Sequence, residues 1–395
     1  DLHSFPTRRS SDLDNAATTR VFPEVREKMV RVMEEDFGNP SSKHIKGMDA
    51  EKYIRETKEI LAKDLKCTPG EIIFTSGGTE SNNTALIGGA YANRRAGKHI
   101  ITTRIEHASV HEPLAFLEEL GYQVTYLPVD KNGQVSPSEL EKALTEETIL
   151  VSIMFVNNEI GAVEDVKTLS EIVHSYNPKI LFHVDAIQAY GKYHIVPKRL
   201  GIDLMSVSGH KLHGPKGVGF LYMRDKAKVR PLIYGGGQQK GFRSGTENVP
   251  GIAGLGVAAE LFCKNRSTYV EQMYACKKHL IEGLEVLEDV TVNGVSGLPL
   301  EETAPHIVSA SFAGVRSEVL LHALAEKGVF VSSGSACSSN HPELSGTLKA
   351  IGVADELLDS TLRFSFSTDT TIEQIDYALE QLYNLLPMLR RFIRK

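Results

Sequence analysis

Cysteine is scarce in this sequence: four residues in 395, at Cys67, Cys263, Cys276 and Cys337. They form no C-x-x-C pair and no disulfide-framework spacing, which excludes a small stapled scaffold and leads to the expectation of a reducing, cytoplasmic setting. Long apolar runs are missing too. The richest stretch, 252–263, is short and interrupted by Glu260, so it does not read as a membrane span. Positive charge has no surplus: 44 basic against 50 acidic residues give a net charge of −6. That balance argues against direct nucleic-acid binding as the main activity. There is no internal repeat and no low-complexity linker.

What is present is the composition of a soluble globular protein, 41% hydrophobic and 24% charged. The length calls for two domains. Residues 1–12 match nothing downstream and lack the apolar segment of a secretory signal, so they read as a non-native leader outside the fold. From Leu13 to about 255, strand-like and helix-like segments alternate. Buried strands are expected at 71–75, 100–103, 124–127, 149–155, 180–184, 204–208 and 219–223, with helices between most of them. Ser136-Pro-Ser-Glu139 has the form of a capped helix start. This alternation predicts an α/β fold: a large domain, 13–255, with a mostly parallel central sheet flanked by helices. Beyond it, long helical patterns over 253–287, broken by polar residues at 264–267, lead to short strands at 307–312 and 362–366. Helices are expected at 318–326 and 372–386. Residues 256–395 read as a smaller α+β domain.

Several stretches carry chemistry. Lys211 stands in Ser206-Val-Ser-Gly-His-Lys-Leu-His-Gly-Pro-Lys-Gly217, just after an apolar strand. Small residues there allow close approach to a ligand, and a partly desolvated amine can form an imine with a carbonyl. An ordinary surface lysine in a glycine-rich turn is the alternative for that motif in isolation. Ser76-Gly-Gly-Thr79 lies between a strand and a helix, where backbone N–H groups and the Thr79 hydroxyl suit a phosphate. It lacks both the Gly-Lys-Ser/Thr ending of a P-loop and the dinucleotide G-x-G-x-x-G. Asp185, in His183-Val-Asp-Ala-Ile-Gln188, closes another strand. It suits either a cationic ring nitrogen or a helix N-cap, and the 26 residues to Lys211 leave room for a strand–helix–strand excursion. His107 suits ring stacking, proton transfer or a structural role. His107, His183, His210 and His213 have no carboxylate completing a ligand set, so no metal is expected. Cys337 lies among serine, glycine and alanine in Val331-Ser-Ser-Gly-Ser-Ala-Cys-Ser-Ser-Asn340, unlike Cys263 and Cys276, which occupy helical patterns as small hydrophobes. It reads as an exposed loop cysteine, an accident or a nucleophile.

Eight motifs in this order resemble one family. They are Asp-Asn-Ala-Ala-Thr-Thr from Asp14, Gly-Asn-Pro-Ser-Ser from Gly38, Gly-Thr-Glu-Ser-Asn-Asn from Gly78, Val-Asn-Asn-Glu-Ile-Gly from Val156, His-Val-Asp-Ala from His183, Ser-Gly-His-Lys ending at Lys211, Arg-Ser-Gly-Thr-Glu-Asn from Arg243 and Ser-Ser-Gly-Ser-Ala-Cys from Ser332. From Leu13 to near its end the chain resembles the NifS/IscS-type cysteine desulfurases, fold-type-I enzymes of the class-V aminotransferase group that depend on pyridoxal 5′-phosphate (PLP). The resemblance implies a homodimer that converts L-cysteine to L-alanine and passes sulfur through a persulfide on Cys337. The acceptor would be an iron–sulfur scaffold or a tRNA-thiolation protein. It implies that Lys211 holds PLP, Asp185 pairs with its ring nitrogen, Gln188 bonds its phenolic oxygen and His107 stacks on the ring. Gly78, Thr79, Ser208 and His210 would hold the phosphate, with Thr246 from the neighbouring subunit. Asn158 and Arg363 would bind the substrate carboxylate. The loop after Cys337, Ser-Ser-Asn-His-Pro-Glu-Leu, departs from the commoner Thr-Ser form. A selenocysteine lyase or a class-V aminotransferase shares much of this pattern; an aminotransferase has no need of Cys337.

Overall fold

The computed structural model describes residues 10–333 and 344–393. Seven strands make the main sheet: β1 (Ile72–Thr75), β2 (His99–Thr103), β3 (Gln123–Leu127), β4 (Thr148–Ser152), β5 (Leu181–Asp185), β6 (Leu204–Ser208) and β7 (Gly219–Met223). Their spatial order is β1-β7-β6-β5-β4-β2-β3. The neighbours β6-β5-β4-β2-β3 are all parallel, whereas β7 runs antiparallel to β1 and β6. β2, β4, β5 and β6 are buried at every position, as expected of strands covered on both faces. Some buried polar residues inside this sheet bond one another across strands. His183 lies in the middle of β5, bonded through Nδ1 to Ser152 Oγ of β4 (2.8 Å) and through Nε2 to Ser206 Oγ of β6 (3.0 Å). Burial pushes its pKa down to about 3, so it is a neutral rung between strands.

The sequence pattern locates these strands within a few residues. β4 ends at Ser152 rather than Phe155, although Ile153 and Phe155 still donate backbone bonds to His183 and Asp185. The excursion between β5 and β6 differs from expectation. Among the described residues 186–203 form successive turns and no helix, with Gly191, Pro197 and Gly201 interrupting any helical run. Their apolar side chains, including Ala186, Ala189, Tyr190 and Ile195, are buried one by one. Ser136 does precede a helix, Pro137–Ala143, but its hydroxyl meets Ser138 Oγ rather than capping the helix.

A second sheet contains β8 (Val290–Asn293), β9 (Ile307–Phe312), β10 (Ser332–Ser333) and β11 (Thr361–Ser365) in the order β10-β11-β9-β8, all antiparallel. The helices Arg266–Glu285 and Ile372–Ile393 pack together beside it. The polar interruption at 264–267 is a helix boundary, with Val249–Lys264 ending where Arg266–Glu285 begins.

The start of the described chain corrects one expectation. Ser11 and Asp12 are not outside the fold: they pair in parallel with Val329 and Phe330. Ser11 and Leu13 are fully buried, and Ser11 Oγ donates to Gln374 O at 2.8 Å. Backbone pairing needs no apolar periodicity, so Ser-Asp left no trace in the pattern.

Candidate active site

The ends of β1, β5 and β6 converge on one side of the main sheet. They border a cavity of about 300 Å³ lined by residues including Gly78, His107, Asp185, Gln188, Lys211 and Arg363. At the end of β1 the chain turns sharply through Gly77 (φ +148°) into the helix beginning at Gly78. A Cβ on Gly78 would stand 2.1 Å from Ile187 Cδ1, so glycine there leaves room for the Ile187 side chain of the segment that follows Asp185. Thr79 and Ser208 line the same end, together with His210.

Asp185 ends β5 deep in the molecule. Its Oδ1 accepts from Ile187 N (3.0 Å) and its Oδ2 from Asn82 Nδ2 (2.8 Å). Burial raises its pKa, opposed by those two donors and by the positive charges of His107 and Lys211. A carboxyl so placed favours a cationic partner. Asn82 Nδ2 also reaches Ser109 Oγ (2.9 Å), which lies 2.8 Å from His107 Nδ1. His107 caps the helix Ala108–Glu119 by accepting from Ser109 N, which is a structural role, and it also lines the cavity. Burial lowers its pKa, with Asp185 pulling the other way.

Lys211 lies in the single 3-10 turn that follows β6. Its Nζ donates to Ala16 O (2.6 Å) and Ala17 O (2.7 Å). Gln188 Nε2 donates to the same Ala16 oxygen at 3.0 Å. His210 meets Thr18 Oγ1 through Nδ1 (3.1 Å), and burial, with Lys211 and Lys216 nearby, pushes its pKa to about 4. Arg363, on β11, donates from Nη1 to Asn158 O (2.8 Å) and from Nη2 to Asp14 Oδ1 (3.1 Å). Its Nε is buried and has no hydrogen-bond partner among the described residues. Ser332 Oγ also donates to Asp14 Oδ1, at 2.6 Å.

Ten of the residues singled out in the sequence therefore share one cavity: Gly78, Thr79, His107, Asn158, Asp185, Gln188, Ser208, His210, Lys211 and Arg363. Thr246 does not; it is exposed, beyond Arg243, whose guanidinium grips Glu80 (2.9 and 3.2 Å). Cys337 lies outside the described residues. Cys276 is buried as expected, whereas Cys263 is half-buried and borders a separate surface cleft. Sequence reasoning assigned no role to Asn82, Ser109, Ser332 or Asp14. Asn82, Ser332 and Asp14 sit inside motifs already singled out, but their roles come from contacts between segments far apart in the chain.

Comparison with known proteins agrees with this geometry. The class-V aminotransferase family model matches residues 12–378. A protein named cysteine desulfurase IscS from Dictyoglomus turgidum is 46% identical over 384 residues, covering 97% of this chain and 96% of its own. Its namesake from Clostridium botulinum is 44% identical over 379 residues, covering 96% and 94%. Among solved structures, a NifS-like protein superposes with a TM-score of 0.90 at 38% identity, covering 96% of this chain and all of its own. The chain belongs to the class-V aminotransferases and, within them, to the NifS/IscS-type cysteine desulfurases.

Proposed function

We propose that this protein uses the cavity at Lys211 to take sulfur from L-cysteine, releasing L-alanine and leaving a persulfide on Cys337. The family is PLP-dependent, and the residues present suit that cofactor. The observation that carries the reading is the pairing of an amine, Lys211 Nζ, with a buried carboxyl, Asp185, in the lining of one cavity. When bound, PLP supplies an electron sink for bonds at the substrate's Cα. Lys211 Nζ would hold the cofactor's carbonyl carbon and would be the base for the substrate's Cα proton. Asp185 would keep a proton on the ring nitrogen. His107 would stack on the ring, and Gln188 would donate to the phenolic oxygen. Backbone N–H groups at Gly78 and Thr79, with Ser208 and His210, would hold the phosphate, a neutral His210 as a hydrogen-bond donor. Arg363, whose Nε is uncommitted among the described residues, takes the substrate carboxylate beside Asn158. Cys337 attacks the substrate sulfur as a thiolate: a new S–S bond forms, the substrate's Cβ–S bond breaks, and the bonding electrons stay with the carbon fragment that becomes alanine. Ser332, five residues earlier in sequence, lines the cavity.

We further read the protein as a homodimer of two-domain chains, divided near residue 255. Leu232, Ile233 and Tyr234 are exposed just ahead of Thr246, as suits a segment that completes the partner's phosphate site. A sulfur-acceptor protein, an iron–sulfur scaffold or a tRNA-thiolation protein, would take the persulfide in the cytoplasm. Among the described residues no helix is long and apolar enough to cross a membrane. The test is mass spectrometry after turnover with L-cysteine. A sulfur adduct on the Cys337 peptide, with alanine formed in step, is the expected result; alanine without the adduct would overturn the role of Cys337.

A further inference from the structure

Gln188 is held from two sides. Its Nε2 donates to Ala16 O (3.0 Å), and its Oε1 faces His306 Nε2 (3.0 Å). The partner on the Ala16 side is a carbonyl, so the amide cannot be turned round without setting two acceptors 3.0 Å apart. The amide oxygen therefore points to His306, whose Nε2 must carry the hydrogen. His306 comes from the other sheet: it immediately precedes β9, and its own carbonyl accepts from Phe366 N, just beyond β11 (2.9 Å). It is 1% exposed. Its Nδ1 is buried with no partner among the described residues, as fits the unprotonated atom of a neutral ring.

We infer that His306 is a positioning residue, which fixes the Gln188 amide with its nitrogen towards Ala16 and the cavity and so ties the C-terminal sheet to the seat of Lys211. The chain of contacts is continuous: His306 donates to Gln188, Gln188 donates to Ala16 O, and Lys211 donates to the same oxygen. The ionisable groups acting on His306 are Lys192, Lys277, Arg363 and Lys211, each a base that is cationic when protonated. Burial, reinforced by these charges, holds its pKa well below the usual histidine range, so the ring stays neutral and its tautomer is set by Gln188. A neutral donor can orient an amide without adding a positive charge to a region that already holds Lys211 and Arg363. Sequence offers no sign of this role, because His306 lies 118 residues from Gln188.

The inference rests on the reading of Gln188 as donor to the cofactor's phenolic oxygen. An N–H donated to that oxygen stabilises its negative charge and weakens its hold on the protonated nitrogen through which Lys211 binds. Losing the donor raises the pH midpoint of the holoenzyme's visible absorbance band. With His306→Leu the midpoint should rise by about half a unit or more, on the order of one hydrogen bond. His306→Gln, whose amide nitrogen reaches the place of Nε2, should restore the wild-type value. His306→Asn, whose shorter amide stands where Nδ1 was, should behave as the leucine variant, so the result does not depend on one substitution folding. In a Gln188→Leu background His306→Leu should give no additional shift. If Gln188→Leu itself leaves the midpoint unmoved, the reading of Gln188 fails and the inference falls with it. If Gln188→Leu shifts it but neither His306→Leu nor His306→Asn does, or if the His306→Leu shift persists in full without Gln188, the positioning role alone is overturned.

Discussion

Two lysines, one beside each sheet, hold their amines in nearly the same way. Lys211 donates to Ala16 O and Ala17 O at 2.6 and 2.7 Å; Lys277 donates to Thr303 Oγ1 and Ala304 O at the same two distances. Lys277 is the more buried, fully so, and burial pushes its pKa down to about 7. By desolvation it would make the better nucleophile. Yet it stands in the helix Arg266–Glu285 and borders none of the cavities described above, and its bonds fasten that helix to the segment ahead of β9. Lys211 is half-buried at a strand end, where its amine shares a cavity with Asp185, Gln188 and Arg363. A perturbed amine is therefore not a site in itself; the cavity it borders and the acid in that cavity's lining are what distinguish the two.

The comparison can be broken first at Lys211. Lys211→Ala should lower alanine production from L-cysteine by several powers of ten, each worth about 1.4 kcal/mol of barrier, while the variant still retains PLP on dialysis. Cys337→Ser should cut sulfide release with a reductant nearly as far, yet leave hydrogen exchange at the substrate's Cα, read by deuterium incorporation, close to wild type. Arg363→Lys should be milder. Loss of planar, charge-assisted contacts to a carboxylate costs about 1.5–3 kcal/mol, or roughly 10- to 150-fold in kcat/KM, expected mainly as a raised KM. At the small end, Lys277→Met should change turnover less than about twofold, within the range of ordinary non-site substitutions. Its effect should appear in stability instead. Lys277 is neutral in the folded chain above about pH 7 but takes up a proton on unfolding until its ordinary value of 10.5. The unfolded state thus binds more protons between those limits, and wild-type stability should gain on the methionine variant as pH rises through that window. The gain is at most about 1.4 kcal/mol per pH unit and is checked by denaturant melts at several pH values.

How much of this was legible in sequence depends on whether the information was local. The strands flanking Asp185 and Lys211 announce themselves by apolar runs, because a doubly covered sheet admits little else. The turn at Gly77–Gly78 is equally visible, since glycine there answers a close approach by Ile187. The crossover from β5 to β6 was not legible. Its length suited a helix, but its glycines and proline break the run into turns whose apolar residues are buried singly. The pairing of Ser11 and Asp12 with Val329 and Phe330 is a backbone event with no side-chain period. The roles of His306 and Ser109 depend on partners 118 and 27 residues away. Such contacts leave no mark on the spacing of residues in either segment.

The parallel pairing at the start of the described chain has a consequence for synthesis. Ala16 and Ala17, whose carbonyls seat Lys211, follow a segment stitched to β11: Asn15 Nδ2 donates to Ser365 O, and Ala16 N donates to Ser365 Oγ. These partners are 350 and 349 residues apart. At ribosomal speeds of about 5–20 residues per second, the wait between making one and making the other is roughly 20–70 seconds. From the addition of Lys211 until that of Ser365 the nascent chain contains Lys211 and Asp185 but cannot close the seat that aligns them. The seat of the reactive lysine is therefore completed late, only after the chain has been made through Ser365.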